Sequence, residues 1–244
     1  MMLSGIYNIA DVVVQITSLY DEVQNLCTDY RSDEKPLLHI STSQEDIEAE
    51  GVKSDQERER EGLPEFHFEA SYLETLAVYR KLATQLIPSG VLLIHGSVIA
   101  VDGEAYLFTA LSGTGKSTHV RLWRELFGER AVMINDDKPL IRVGSKTSIV
   151  YGTPWDGKHH LSTNTSVPLR AIIHLQRGTT NHIEPQTPAQ MLPTLLQQTF
   201  LPKNGAVGMQ VLSLLDTLSR QVKFYNLHCN MEPEAARIAY EGMH

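Results

Sequence analysis

The stretch Ala110-Leu111-Ser112-Gly113-Thr114-Gly115-Lys116-Ser117-Thr118 decides how the rest of the chain is read. Its spacing is that of a phosphate-binding loop. Glycines at 113 and 115 let backbone N–H groups turn inward around phosphate oxygens, where a side chain would collide. Lys116 can reach phosphate as a point charge. The Ser117 hydroxyl is a suitable ligand for the Mg²⁺ that accompanies a nucleotide. The candidate cofactor-binding residues are therefore Ser112, Gly113, Thr114, Gly115, Lys116, Ser117 and Thr118. One departure is Ala110, where the strict pattern has its first glycine. Downstream, His119 to Phe127 has helical spacing, with Val120, Trp123 and Phe127 on one stripe, and Gly128 suits its stop. The N-terminus of that helix would point its dipole at the phosphates.

Upstream, Val91 to Val101 reads as a strand, Asp102-Gly103 as a hairpin turn, and Ala105 to Ala110 as the returning strand. Counting outward from a two-residue turn pairs Val101 with Glu104 and brings His95 opposite Ala110. A three-residue loop moves the partner to Leu111. Either register sets His95 beside the mouth of the loop, at a cross-strand distance of about 5 Å. After the helix, Ala131 to Asn135 is a short apolar strand ending in Asp136-Asp137. Laid next to the loop strand, it would bring both acids near Ser117. One would bind metal and the other would accept a proton from an attacking hydroxyl.

The remaining candidates are weaker. Trp155 to His160 lies in a polar loop after a strand and is a plausible substrate loop. A zinc site there lacks a third and fourth ligand at useful spacing. Arg170 and Arg177 flank a strand and could touch phosphate as readily as sit on the surface. His119, in the first helical turn, is expected to be solvated.

At 244 residues the chain can bury a substantial core. Its net charge of −8 disfavours a nucleic-acid partner held by general basicity. Residues 45–61 carry eight acids against three bases, so most of that charge is one solvated segment. Cys27 and Cys229 are far apart, no secretory signal is visible, and no run is long enough to span a bilayer. A reduced, cytoplasmic setting without a membrane partner is the simple expectation.

Residues 1–88 are read as an N-terminal α/β subdomain and 89–244 as the catalytic domain. The first contains a strand over Ile6 to Ile16, a helix over Ser18 to Tyr30 capped by Ser18, short strands at Pro36–Ile40 and Phe66–Phe68, and a helix over Ala70 to Ile87. Ser43 to Glu61 is left open between exposed helix and loop. In the second, Leu140–Val143 and Thr147–Gly152 suggest a hairpin and Leu169–Leu175 a strand. Helices are expected over Pro188–Phe200 and Ala206–Val222, then a strand over Lys223–His228 and a closing helix over Pro233–Met243.

Four pieces resemble the HPr kinase and PEP carboxykinase superfamily: His95-Gly96, the Asp102-Gly103 hairpin, Ala110 to Thr118, and Asn135-Asp136-Asp137. The stretch from Val91 to Arg177, with Gly152-Thr153-Pro154-Trp155 and Pro168-Leu169-Arg170, is similar to small bacterial HPr-kinase-like proteins. The resemblance implies an antiparallel-rich mixed α/β sheet with the loop at its edge. It implies ATP and Mg²⁺ as cofactors and phosphorylation of a serine-type hydroxyl on a peptide or protein. By position, His95, Lys116 and Asp137 match catalytic residues, with Asp137 as proton acceptor. Ser117 matches a metal ligand, and Asp136 takes the metal side; the carboxykinase branch puts metal on the second acid. Asn135 departs from the alanine or glycine of the two branches. The signature loop that HPr kinases use for their protein substrate is not recognisable in Thr153 to Thr165. A small-molecule kinase and an ATP-binding regulatory module without transfer are the competing readings.

Overall fold

A computed structural model describes residues 2–60, 62, 64 and 66–244. No described helix is long and apolar enough to cross a membrane. The chain divides into two compact units, Met1–Gln85 and Leu86–His244.

The first unit begins with β1 (Leu3–Ile9) and β2 (Val12–Ser18), an antiparallel pair in register from Leu3↔Ser18 to Ile9↔Val12. This replaces the single strand expected over Ile6 to Ile16. Ala10 and Asp11 both take positive φ, 53° and 57°, and make a two-residue turn without a glycine to announce it. The expected helix from Ser18 shrinks to α1 (Glu22–Leu26) and a 3₁₀ turn, Thr28–Tyr30. Ser18 is no helix cap: its hydroxyl donates to Tyr20 O within the bend. Next come β3 (Leu38–Ser41), which is parallel to β2, then α2 (Gln44–Arg60) and α3 (Ala70–Leu86). The segment left open in the sequence is thus helical as far as Arg60. No strand forms at Phe66–Phe68, whose two rings instead meet edge to face. Fully buried Glu74 on α3 accepts from Leu19 N (2.7 Å), Tyr20 N (2.8 Å) and the Thr42 hydroxyl (2.5 Å). Its side-chain oxygens thereby satisfy backbone donors where β2 leaves the sheet.

The second unit is built on one mixed sheet. Its elements in chain order are β4 (Val91–Leu93), β5 (Ser97–Val101), β6 (Glu104–Thr109), α4 (Lys116–Phe127), β7 (Ala131–Asn135), β8 (Leu140–Val143), β9 (Ser148–Tyr151), β10 (Ser166–Arg177), β11 (His182–Gln186), α5 (Pro188–Gln198), α6 (Gly205–Ser219), β12 (Lys223–Cys229) and α7 (Glu234–Glu241). The strand order is β4-β8-β9-β10-β6-β5-β7, with β12 also on β10 and β11 on β12. Among the described strands of this sheet, the parallel pairs are β10 with β6 and β10 with β12; its other pairs are antiparallel. This is the antiparallel-rich mixed α/β architecture expected.

Three details differ. The strand expected over Val91 to Val101 breaks at Ile94–Gly96, where backbone donors leave the ladder: His95 N goes to Gln198 O and Gly96 N to Asp137 O. The acid-bearing β7 pairs with β5, so β5 lies between it and β6. And β6 is an interior strand, with β5 and β10 on its two sides, not an edge. β11 was not anticipated; its Pro185 and alternating polar residues weaken the strand pattern.

Alternation along the strands gives the sheet two apolar faces. Val98, Leu107, Ile172 and Phe224 pack with Met191 and Leu195 of α5 and Val211 and Leu215 of α6. Ile99, Phe108, Ile173 and Leu227 pack with Val120 and Trp123 of α4 and with the alanines of α7.

Candidate functional site

The turn between β5 and β6 has the two-residue form. Asp102 and Gly103 take φ of 53° and 83°, and Val101 pairs with Glu104. That register runs to Ser97↔Phe108, and the Thr109 hydroxyl donates to His95 O at 2.8 Å. His95 therefore stands where β6 gives way to the glycine loop. Gly96 permits the approach, since a Cβ there would meet Phe108 O at 2.7 Å.

The loop itself leads straight into α4. Gly113 (φ 74°) and Gly115 (φ 120°) hold left-handed backbone, with Gly115 as the N-cap, and a Cβ on either would meet nothing. Their requirement is conformational, not steric. Ser112 and Gly113 are exposed, and Thr114, Ser117 and Thr118 half-buried. Lys116, in the first turn of α4, is 8% exposed, and its Nζ donates to Ala110 O (3.0 Å) and Leu111 O (3.4 Å). Burial lowers its pKa, while the charges of Asp137 and Asp136 act the other way. Arg177, at the end of β10, braces the loop from outside by donating to Gly113 O (2.6 Å) and Thr114 O (3.4 Å).

At the end of β7 the two acids diverge. Asp136 is 7% exposed and accepts from the Ser97 hydroxyl at 2.6 Å. Burial raises its pKa; hydrogen bonds from Ser97 and Ser117 and the nearby His159 oppose the rise. Asp137 turns the other way: Oδ1 meets His95 Nδ1 at 3.0 Å and Oδ2 pairs with Lys138. Burial would raise its pKa too, yet the His95 hydrogen bond and the Lys138 charge hold it well below the usual carboxylate range.

Asn135 shapes this turn. It is fully buried. Its Oδ1 accepts from Asp137 N (2.9 Å) and Lys138 N (2.7 Å), and its Nδ2 donates to Thr153 O (3.1 Å) and Thr153 Oγ1 (3.0 Å). The amide thus joins the acid turn to the loop after β9. Gly157 of that loop (φ 75°) lies so close that a Cβ would meet Asp137 Cβ at 3.1 Å.

Ser117 and Asp136 offer oxygen donors side by side. A buried carboxylate with a raised pKa, facing a serine hydroxyl, is a donor set that fits a hard cation such as Mg²⁺. The left-handed glycines before a 12-residue helix likewise fit an anionic phosphate group.

Two sequence candidates lie elsewhere. Arg170 pairs with Glu104 (2.7 Å), at the turn end of β6 and away from the loop. His119 is buried, not solvated: its Nε2 accepts from Trp123 Nε1 (3.0 Å) and its ring meets Phe108 edge to face. Burial pushes its pKa down to about 3. Three neighbours of the acids escaped the sequence reading: Ser97, Lys138 and, as an organiser, Asn135. Ser97 was within reach of it, being two residues from His95 and so on the same strand face.

No family model and no curated protein matches the chain. Among solved structures, the HPr(Ser) kinase/phosphatase from Coxiella burnetii is similar at 12% identity, over 52% of this chain and 90% of that one, with a TM-score of 0.27. A likeness of that size carries no argument about activity.

Proposed function

We propose that the protein is an ATP- and Mg²⁺-dependent kinase that phosphorylates a hydroxyl, a serine on a peptide or protein. The reading is carried by the division of the two acids: Asp136 faces Ser97 of β5 and Ser117 of the loop helix, while Asp137 faces His95 and Lys138. In this reading the loop residues Ser112 to Thr118 cradle the nucleotide phosphates. Lys116 leaves the carbonyls of Ala110 and Leu111 for the γ-phosphate, and Ser117 and Asp136 hold Mg²⁺. The metal, when bound, neutralises charge that develops on the phosphoryl oxygens. The acceptor oxygen bonds to the γ-phosphorus as the bond to the β,γ-bridging oxygen breaks. ADP leaves, and the hydroxyl proton passes to Asp137, which His95 orients.

The test is transfer from γ-labelled ATP to serine-containing peptides in the presence of Mg²⁺, read by mass spectrometry as addition of one phosphate. Label on the peptide supports the reading. ATP bound without transfer to any acceptor identifies a regulatory module instead, and transfer to small alcohols alone identifies a small-molecule kinase.

A further inference from the structure

We infer that the tip of the loop after β9, Gly157 to His160, reads the acceptor and selects a hydroxyl flanked by an anionic side chain. The inference rests on the kinase reading above and names its substrate class more narrowly.

The loop is anchored at both ends to β7. Asn135 Nδ2 holds Thr153 at its start, while Thr163 N donates to Ile134 O (3.3 Å) and Thr163 Oγ1 to Met133 O (2.9 Å) at its end. The two legs also touch, since a Cβ on Gly152 would stand 2.0 Å from Thr163 O. Between the legs, the nearly buried Asp156 carboxylate accepts from Ser162 Oγ (2.9 Å) and meets His160 Nδ1 (3.2 Å). A base tied down in this way presents a fixed tip.

Lys158, His159 and His160 are exposed on that tip. Gly157 brings it against Asp137, the proton acceptor in this reading, and His159 lies near enough to Asp136 to influence its charge. An acceptor hydroxyl approaching Asp137 therefore comes up against the tip that carries the exposed Lys158 and His159. The site's own acids are already engaged: Asp136 by Ser97 and Ser117, Asp137 by His95 and Lys138, Asp156 by Ser162 and His160. Lys158 is the formal cation of the tip, in a chain that carries −8 as a whole. A glutamate or aspartate next to the acceptor hydroxyl would find the exposed Lys158 ammonium here, and a lysine would be repelled by it.

The experiment uses the full-length protein, ATP, Mg²⁺ and serine peptides that differ only in a flanking Glu, Ala or Lys. The wild-type protein should favour the Glu-flanked peptide over the Ala-flanked one by up to about 5-fold in kcat/KM, the range of an exposed ion pair, and should disfavour the Lys-flanked one. Lys158→Glu should invert the order with the KM for ATP unchanged, and Lys158→Ala should flatten it. Rates independent of the flank overturn the inference. So does a Lys158→Glu effect confined to the KM for ATP, which would assign the tip to the nucleotide. ATP binding that depends on Lys116, with no peptide phosphorylated, overturns the acceptor inference and leaves the nucleotide site standing. Absence of ATP binding overturns the kinase reading as well.

Discussion

At Asp137 one carboxylate answers to two donors, His95 on Oδ1 and Lys138 on Oδ2. The group is therefore ionised throughout the working pH range, and it is a weak base. Phosphoryl transfer tolerates that, because its loose transition state leaves the acceptor proton in place until late. Asp137→Asn keeps the size and loses the acceptor for the proton, so transfer should fall by about 10²–10⁴-fold with ATP affinity retained. Asp136→Asn should instead raise the Mg²⁺ concentration needed for activity. Mg²⁺ titrations of both variants check the division of labour; rescue of Asp137→Asn by excess metal, and not of Asp136→Asn, would reverse it. Because burial raises the pKa of Asp136, its protonated form accumulates early on acidification. The Mg²⁺ requirement of the wild-type protein should therefore climb as pH falls, and more steeply than in Asp136→Asn, where only the ATP phosphates still take up a proton. Lys116→Ala should abolish transfer and weaken ATP binding, measured by calorimetry, since the phosphates lose their cationic partner.

The elements that carry these residues are held by short connections. The β7 turn depends on Asn135, whose amide serves two backbone donors on one side and Thr153 on the other. Asn135→Ala would leave buried N–H groups of Asp137 and Lys138 without this acceptor, at a cost of about 1–3 kcal/mol. The expected outcome is a lower urea midpoint together with reduced transfer, while ATP binding to the loop on α4 persists. Asn135→Asp retains the acceptor oxygen and should recover part of the loss if the turn is what matters. In the β5–β6 hairpin, Gly103→Ala forces a side chain to φ 83° and should cost about 1 kcal/mol without affecting ATP affinity, since the turn lies at the far end of the strands.

Across the whole molecule, the sheet of the second unit is sandwiched between α4 and α7 on one face and α5 and α6 on the other. His119 is locked in the α4 face as a neutral imidazole that accepts from Trp123. Its folded pKa lies near 3 against 6.5 unfolded, so the unfolded chain binds the extra proton. Stability from this group is complete above pH 6.5 and is lost as pH falls toward 3, at up to about 1.4 kcal/mol per pH unit. His119→Gln keeps an acceptor for Trp123 and removes the proton uptake. Urea midpoints at pH 7 and pH 4.5 should differ less for this variant than for the wild-type protein.

The sequence alone determined what is local. Glycine and lysine spacing marked the loop and its helix, and Asp102-Gly103 set the hairpin register that carries His95 to the loop mouth, because turn chemistry and strand periodicity act over a few residues. The Ala10-Asp11 turn escaped because neither residue is a glycine, and the strand break at His95-Gly96 escaped because its cause is the carbonyls of Gln198 and Asp137. Only the tertiary structure decided that β10, not β7, is the second neighbour of β6, and that His119 is core while Arg170 belongs to the other end of the sheet. It also decided that Asn135 binds the acid turn to a loop near twenty residues on. These outcomes depend on which distant strands pair and which carbonyls they bring to hand, and no short stretch of sequence records that.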